Sequence, residues 1–127
     1  MAAAKMPMPK EGEEQATLFS WAQMKRYFRP ELDMMFHIPN GGKRSKSEAA
    51  RFKAEGVKPG VPDICLPVPR GGYHGLYIEL KRRRDSSTSE YQKEWIEKLR
   101  SQGYAAEVCK GWEAAAELIE KYLKGEY

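Results

Sequence analysis

Cysteine and histidine are scarce in this chain, with two of each among 127 residues. Cys65 and Cys109 sit in separate apolar, strand-like runs, and no close pairing of Cys and His makes a zinc motif. Two reduced, buried thiols in a cytoplasmic protein are therefore expected, not a disulfide framework. Long apolar runs are missing too: no stretch approaches the roughly 18 residues a membrane span needs. The first ten residues lack the continuous apolar core of a signal peptide and read as a flexible tail. No Ser–His or Cys–His pairing suggests a covalent nucleophile. There is no internal repeat and no long low-complexity segment, so residues 11–127 are expected to form one domain.

The charge is present but unevenly placed. The net +4 conceals a segment, residues 40–84, with eleven Lys/Arg against four Asp/Glu. Residues 1–39 balance to zero, and residues 85–127 carry a net −3. A basic segment of this kind collects polyanions, though an ordinary solvated surface has the same composition.

Periodicity and punctuation give a coarse map. Helices are predicted over residues 13–29, closed by Pro30, from a Ser47 cap to Gly56, from Ser89 to Gly103, and over 112–123. Strands are predicted over 34–38, 62–68, 76–81 and 104–109, the second with irregular ends because of its prolines. The order α, β, α, β, β, α, β, α implies an α/β core of about four strands flanked by helices.

The strand over 76–81 carries an acid and a base two positions apart. Residues i and i+2 share a strand face, so Glu79 and Lys81 project together while Ile78 and Leu80 face the other way. Charges beside an apolar strand need partners or a metal. Asp63, in Gly60-Val61-Pro62-Asp63, would complete two carboxylates and one ammonium. Hard divalent cations take such oxygens and keep waters for chemistry. The plainer readings are a turn aspartate and a salt-bridged, solvent-facing strand.

The pattern P-D…E-x-K resembles the PD-(D/E)xK nuclease superfamily. Four ordered segments narrow the resemblance to the VRR-NUC type: His37-Ile38-Pro39-Asn40-Gly41-Gly42, Gly60-Val61-Pro62-Asp63, Ile78-Glu79-Leu80-Lys81, and Gln92 before Trp95. It covers roughly residues 13 to 110. It implies a restriction-endonuclease-like core with a mixed sheet of about four strands. It also implies metal-assisted hydrolysis of DNA phosphodiesters with Mg²⁺ or Mn²⁺, and a homodimer acting on branched DNA in the manner of a Holliday-junction resolvase.

The resemblance also implies roles. Asp63 and Glu79 would be metal ligands, with the Leu80 backbone carbonyl a third. Lys81 would hold or activate the attacking water. A helix-1 glutamate would join them: Glu14 is favoured, with Glu11 and Glu13 as competitors. Gln92 would face the catalytic lysine, but Ser89 and Gln92 also spell a capping box, S-x-x-Q. One amide in one rotamer is not expected to fill both roles. Asn40, Gly41 and Gly42 would let backbone amides approach a phosphate, with Lys43, Arg44, Lys46, Arg70, Arg82, Arg83 and Arg84 adding charge. Tyr73 and His74 are read as loop packing before base stacking. The apolar 112–123 helix would supply part of a dimer interface or close the monomer core. The rivals are a nucleic-acid-binding module without catalysis, a sequence-specific restriction-type nuclease, and, more weakly, an RNA-processing nuclease.

Overall fold

The computed structural model describes residues 7–39 and 45–127. Helix α1 (Glu11–Lys25) leads through a 3₁₀ turn (Pro30–Met34) to strand β1 (Phe36–His37). Helix α2 (Lys46–Ala54) precedes the antiparallel pair β2 (Ile64–Leu66) and β3 (Leu76–Lys81). Helix α3 (Glu90–Ser101), strand β4 (Ala105–Lys110) and helix α4 (Trp112–Leu123) complete the chain. The sheet order is β1-β2-β3-β4, antiparallel up to β3 and parallel between β3 and β4. This is the expected mixed four-stranded α/β sheet with helices on both faces.

The alternation of β3 builds both layers. Leu76, Ile78 and Leu80 enter the larger core with Leu18 and Ala22 of α1 and Ala115, Ile119 and Tyr122 of α4. Tyr77 turns to the other face and packs with Ile96 and Leu99 of α3 and Ala106 of β4. Glu79 and Lys81 follow Tyr77 at even spacing, which carries two charges into a nearly closed layer, at 2% and 8% exposure. The apolar face of α4 is therefore used inside the monomer.

Several predicted boundaries shift for local reasons. Helix α1 ends at Lys25, before Arg29; the residue preceding a proline is pushed out of the α region, and Arg29 has φ −134° and ψ 78°. Pro30 then opens the 3₁₀ turn instead of merely closing the helix. Helix α2 is capped by Ser45, not Ser47. The Ser45 hydroxyl accepts from the Glu48 backbone N–H at 3.2 Å, at the S-x-x-E spacing. Strand β2 is trimmed at both ends by Pro62 and Pro67, and β1 keeps only two residues at the sheet edge.

Pro62 shapes the site directly. It has no N–H for the ladder, and the β2–β3 pairing ends at Ile64↔Ile78. The next donor on β3, Leu80 N–H, is taken by the Asp63 carboxylate at 2.9 Å. A side chain thus substitutes for a ladder rung where the two strands part, and this places Asp63 beside Glu79.

Gly60, at the start of the same motif, has a matching steric reason. Its φ is +88°, and a Cβ there would lie 2.4 Å from the Tyr91 carbonyl carbon. The loop therefore presses backbone to backbone against the first turn of α3, next to Gln92. Gly60→Ala combines an unfavourable φ with a clash that no rotamer relieves. It should lower the melting temperature and reduce cleavage by displacing Gln92. A melting curve and a cleavage rate indistinguishable from the native protein's would refute this.

Candidate active site

Three carboxylates converge where β2 and β3 separate. Oxygens of Glu11, Asp63 and Glu79 all lie within 4.8 Å of one another. Glu11 sits exposed at the rim on the first residue of α1, Asp63 is half-buried and Glu79 is buried. Burial raises all three above ordinary carboxylate pKa values, and mutual repulsion adds to it at Glu11 and Glu79. Glu79 is pushed up to about 8, first by desolvation and then by Asp63. Asp63 is raised by desolvation, partly offset by the Leu80 N–H. Without a cation the cluster retains a proton.

One Glu79 oxygen is fully committed. Oε1 accepts from Gln92 Nε2 at 2.8 Å and lies 3.6 Å from Lys81 Nζ. The other, Oε2, is buried with no hydrogen-bond partner among the described residues. A buried carboxylate with one oxygen left without a donor, clustered with two further carboxylates, fits a hard divalent cation held by Glu11, Asp63 and Glu79.

Gln92 fills both roles that the sequence sets in opposition. Its Oε1 accepts from the Ser89 backbone N–H at 2.9 Å and from Lys81 Nζ at 3.0 Å, while its Nε2 donates to Glu79. The Ser89 hydroxyl completes the capping box by accepting from Gln92 N–H at 3.2 Å. A carbonyl oxygen has two lone pairs, so the expected conflict does not arise. The cap has a further consequence: two donors at Oε1 fix which way the amide points, and that orients Lys81.

Glu14 does not join the carboxylate cluster. It lies on the packed stripe of α1 with Leu18 and Ala22, four residues apart, and is 1% exposed. Its carboxylate meets Arg83, with Nε–Oε2 at 3.0 Å and Nη2–Oε1 at 3.1 Å. Arg83 also bonds Glu113 of α4 at 2.8 Å. Arg83 is thus a clamp across α1, the end of β3 and α4, with its Nε and Nη2 engaged. Glu13 is exposed, and only its carbonyl is engaged, by Thr17. The signal that separates the three acids was in the sequence: Glu14 shares the i, i+4, i+8 stripe of Leu18 and Ala22, whereas Glu11 sits one turn earlier, at the helix start.

The remaining basic residues divide by position. Arg70 lies in the β2–β3 connection, at the opposite end of the strands from Asp63 and Lys81, roughly 15–20 Å away at strand rise. Its guanidinium is committed to Glu31 at 2.6 Å. Arg82 follows Lys81 at the site, half-buried, with its Nε lacking a hydrogen-bond partner among the described residues. Arg84 is exposed. Lys46 opens α2, a helix with no buried residue that also presents Arg51 and Lys53 to solvent. Asn40, Gly41, Gly42, Lys43 and Arg44 lie outside the described residues. Tyr73 and His74 pack in the fold, against Tyr127 and Tyr104. Both cysteines are free and buried. No helix is long and apolar enough to cross a membrane among the described residues.

An α/β sheet that parts to expose D…E-x-K, with a helix-1 acid beside it, defines a PD-(D/E)xK-type nuclease. The VRR-NUC domain family matches residues 9–113. A solved structure described as a VRR_NUC domain protein superposes with a TM-score of 0.82 at 37% identity, covering 94% of this chain and 92% of the other. A search of curated proteins found no match. The chain belongs to the VRR-NUC family of nuclease domains.

Proposed function

We propose that this chain is a Mg²⁺- or Mn²⁺-dependent endodeoxyribonuclease that cuts branched DNA as a homodimer. The observation carrying the catalytic reading is the buried Glu79 carboxylate, its Oε2 without a partner among the described residues, clustered with Glu11 and Asp63 and with Lys81 held alongside. In this reading a divalent cation bound by the three carboxylates, with the Leu80 carbonyl as a further ligand, supplies electrostatic stabilisation of the charge developing on the phosphate and the leaving oxygen.

The chain's own groups supply the rest. Lys81 Nζ, pinned by Gln92 Oε1 and Glu79 Oε1, places an ammonium where it positions the attacking water and offsets charge on phosphorus. Gln92 fixes that geometry from the first turn of α3. Arg82 and the outward cations of α2 fit phosphates on either side of the cut. A non-catalytic binding module is disfavoured, because a buried acidic cluster repels the phosphates such a module would hold.

The dimer rests on a different surface from α4. Met24, Tyr27, Phe28, Met34 and Phe36 are all 46–83% exposed and fall within one stretch running from the end of α1 to the edge strand β1. That many large apolar side chains in solvent mark an interaction surface, and a second copy would supply the second active site that symmetric cutting needs.

The test is cleavage of a labelled four-way junction, flap, linear duplex and single strand in Mg²⁺, Mn²⁺ or EDTA, with sedimentation of the same samples. Metal-dependent cutting abolished by Asp63→Ala and by Lys81→Ala is expected, on a dimer that prefers the junction. Cutting that survives both substitutions removes this active site. A monomer in sedimentation removes the dimer.

A further inference from the structure

Beside the carboxylate cluster lies an open, mostly apolar cleft of about 340 Å³, to which the site described above assigns no role. Its walls are Ile38 and Pro39 beyond β1, Glu55, Gly56, Val57 and Lys58 beyond α2, and Val61. Ile38, Val57 and Val61 are each half-buried, so three branched aliphatic side chains stay partly in water around one opening.

The backbone ties this cleft to the site. Ile38 N–H donates to the Asp63 carbonyl at 2.6 Å. Val61 precedes Asp63 by two residues, and both are half-buried while Pro62 and Ile64 are buried. The cleft wall at Ile38 therefore abuts the Asp63 backbone. A DNA strand with its phosphate at Asp63 would have a neighbouring nucleotide within reach of the cleft.

We propose that this cleft receives an unstacked nucleobase next to the scissile phosphate; the proposal rests on the nuclease reading above. The occupant follows from two observations: adjacency to the phosphate site through Ile38 and Asp63, and apolar walls that suit the flat face of a base. A Watson–Crick base must be unpaired to enter, whereas a bulged, mismatched or junction base is already free. The cleft thus converts the state of the DNA into binding preference without reading its sequence. Stacking on an apolar platform at the low end of its usual range corresponds to roughly fivefold in affinity, the low end being chosen because these walls are aliphatic.

The experiment uses the full chain in Ca²⁺ and compares binding of a fully paired duplex with one carrying a single unpaired 2-aminopurine. The native protein should bind the bulged DNA about fivefold tighter and change the 2-aminopurine emission. Val57→Ser and Ile38→Ser strip one wall each and should together bring the ratio close to one, leaving affinity for the paired duplex and the melting temperature near native. A native ratio of one overturns the proposal, as does a ratio that persists in both folded variants. If one variant melts low, the other decides. Cleavage of the same DNAs in Mn²⁺ separates the two readings. Cutting without a ratio counts against the cleft alone, and a ratio without cutting in any metal counts against the nuclease.

Discussion

Glu79→Gln is expected to abolish cleavage and, in the same protein, to raise its metal-free melting temperature at pH 8. The two effects share a cause. Glu79 is buried against Asp63 and has one oxygen with no donor, an arrangement suited to a cation and costly without one. Its pKa, ordinarily 4.5, is pushed up to about 8 by desolvation and by Asp63. Between those two values the folded protein holds a proton that the unfolded chain has released. Stability therefore falls as pH rises through the window from 4.5 to about 8. Glutamine keeps the shape and can still accept from Gln92 Nε2, but it never ionises. The variant should match or trail the native protein near pH 5 and exceed it at pH 8, on the order of 5 °C for a domain of this size. Mn²⁺ should stabilise the native protein more at pH 8 than at pH 5, because it competes with the retained proton, and should leave the variant nearly unaffected. Melting curves at both pH values, with EDTA or Mn²⁺, decide it. A variant that melts below the native protein at pH 8 in EDTA would sink the account of the cluster as a destabilised cation site.

The sheet, the helix order and the D…E-x-K core were legible because they rest on period and punctuation. Residues 76–81 alternate cleanly, and Ser89 with Gln92 announces α3. What was not legible depends on where a side chain finds its partner. Nothing local to Arg83 says that it reaches 69 residues back to Glu14 instead of outward to a phosphate. Arg70 looks equally available in sequence, yet the hairpin carries it to the wrong end of the strands, where Glu31 waits. Basic residues advertise charge but not direction. The choice among Glu11, Glu13 and Glu14 was nearer to hand. Extending the apolar stripe of α1 back by one turn would have placed Glu14 inside the helix packing and left Glu11 free for the cluster. The Gln92 conflict came from counting side chains instead of lone pairs.

The clamp formed by Glu14, Arg83 and Glu113 carries the second large expectation. Its two main partners are unequal: Glu14 is 1% exposed, whereas the Arg83 side chain is 40% exposed. Removing the arginine leaves a carboxylate sealed between α1 and the sheet with no counter-charge. Removing the carboxylate leaves a guanidinium that reaches water and still holds Glu113 at 2.8 Å. Breaking a buried pair from the exposed side is the costly direction, and replacing both partners by neutral groups removes most of the loss. Arg83→Met should therefore lower the melting temperature far more than Glu14→Gln, and Glu14→Gln added to Arg83→Met should restore much of it. Activity should follow the same order, because Glu11 stands one turn before Glu14 and depends on the seating of α1 for its place beside Asp63. In Arg83→Met the concentration of Mn²⁺ needed for half-maximal cleavage should rise, a change that loss of a simple phosphate contact would not produce. Equal losses from the two single substitutions, or no rescue in the double, would show that Arg83 acts outward on DNA and not inward on Glu14.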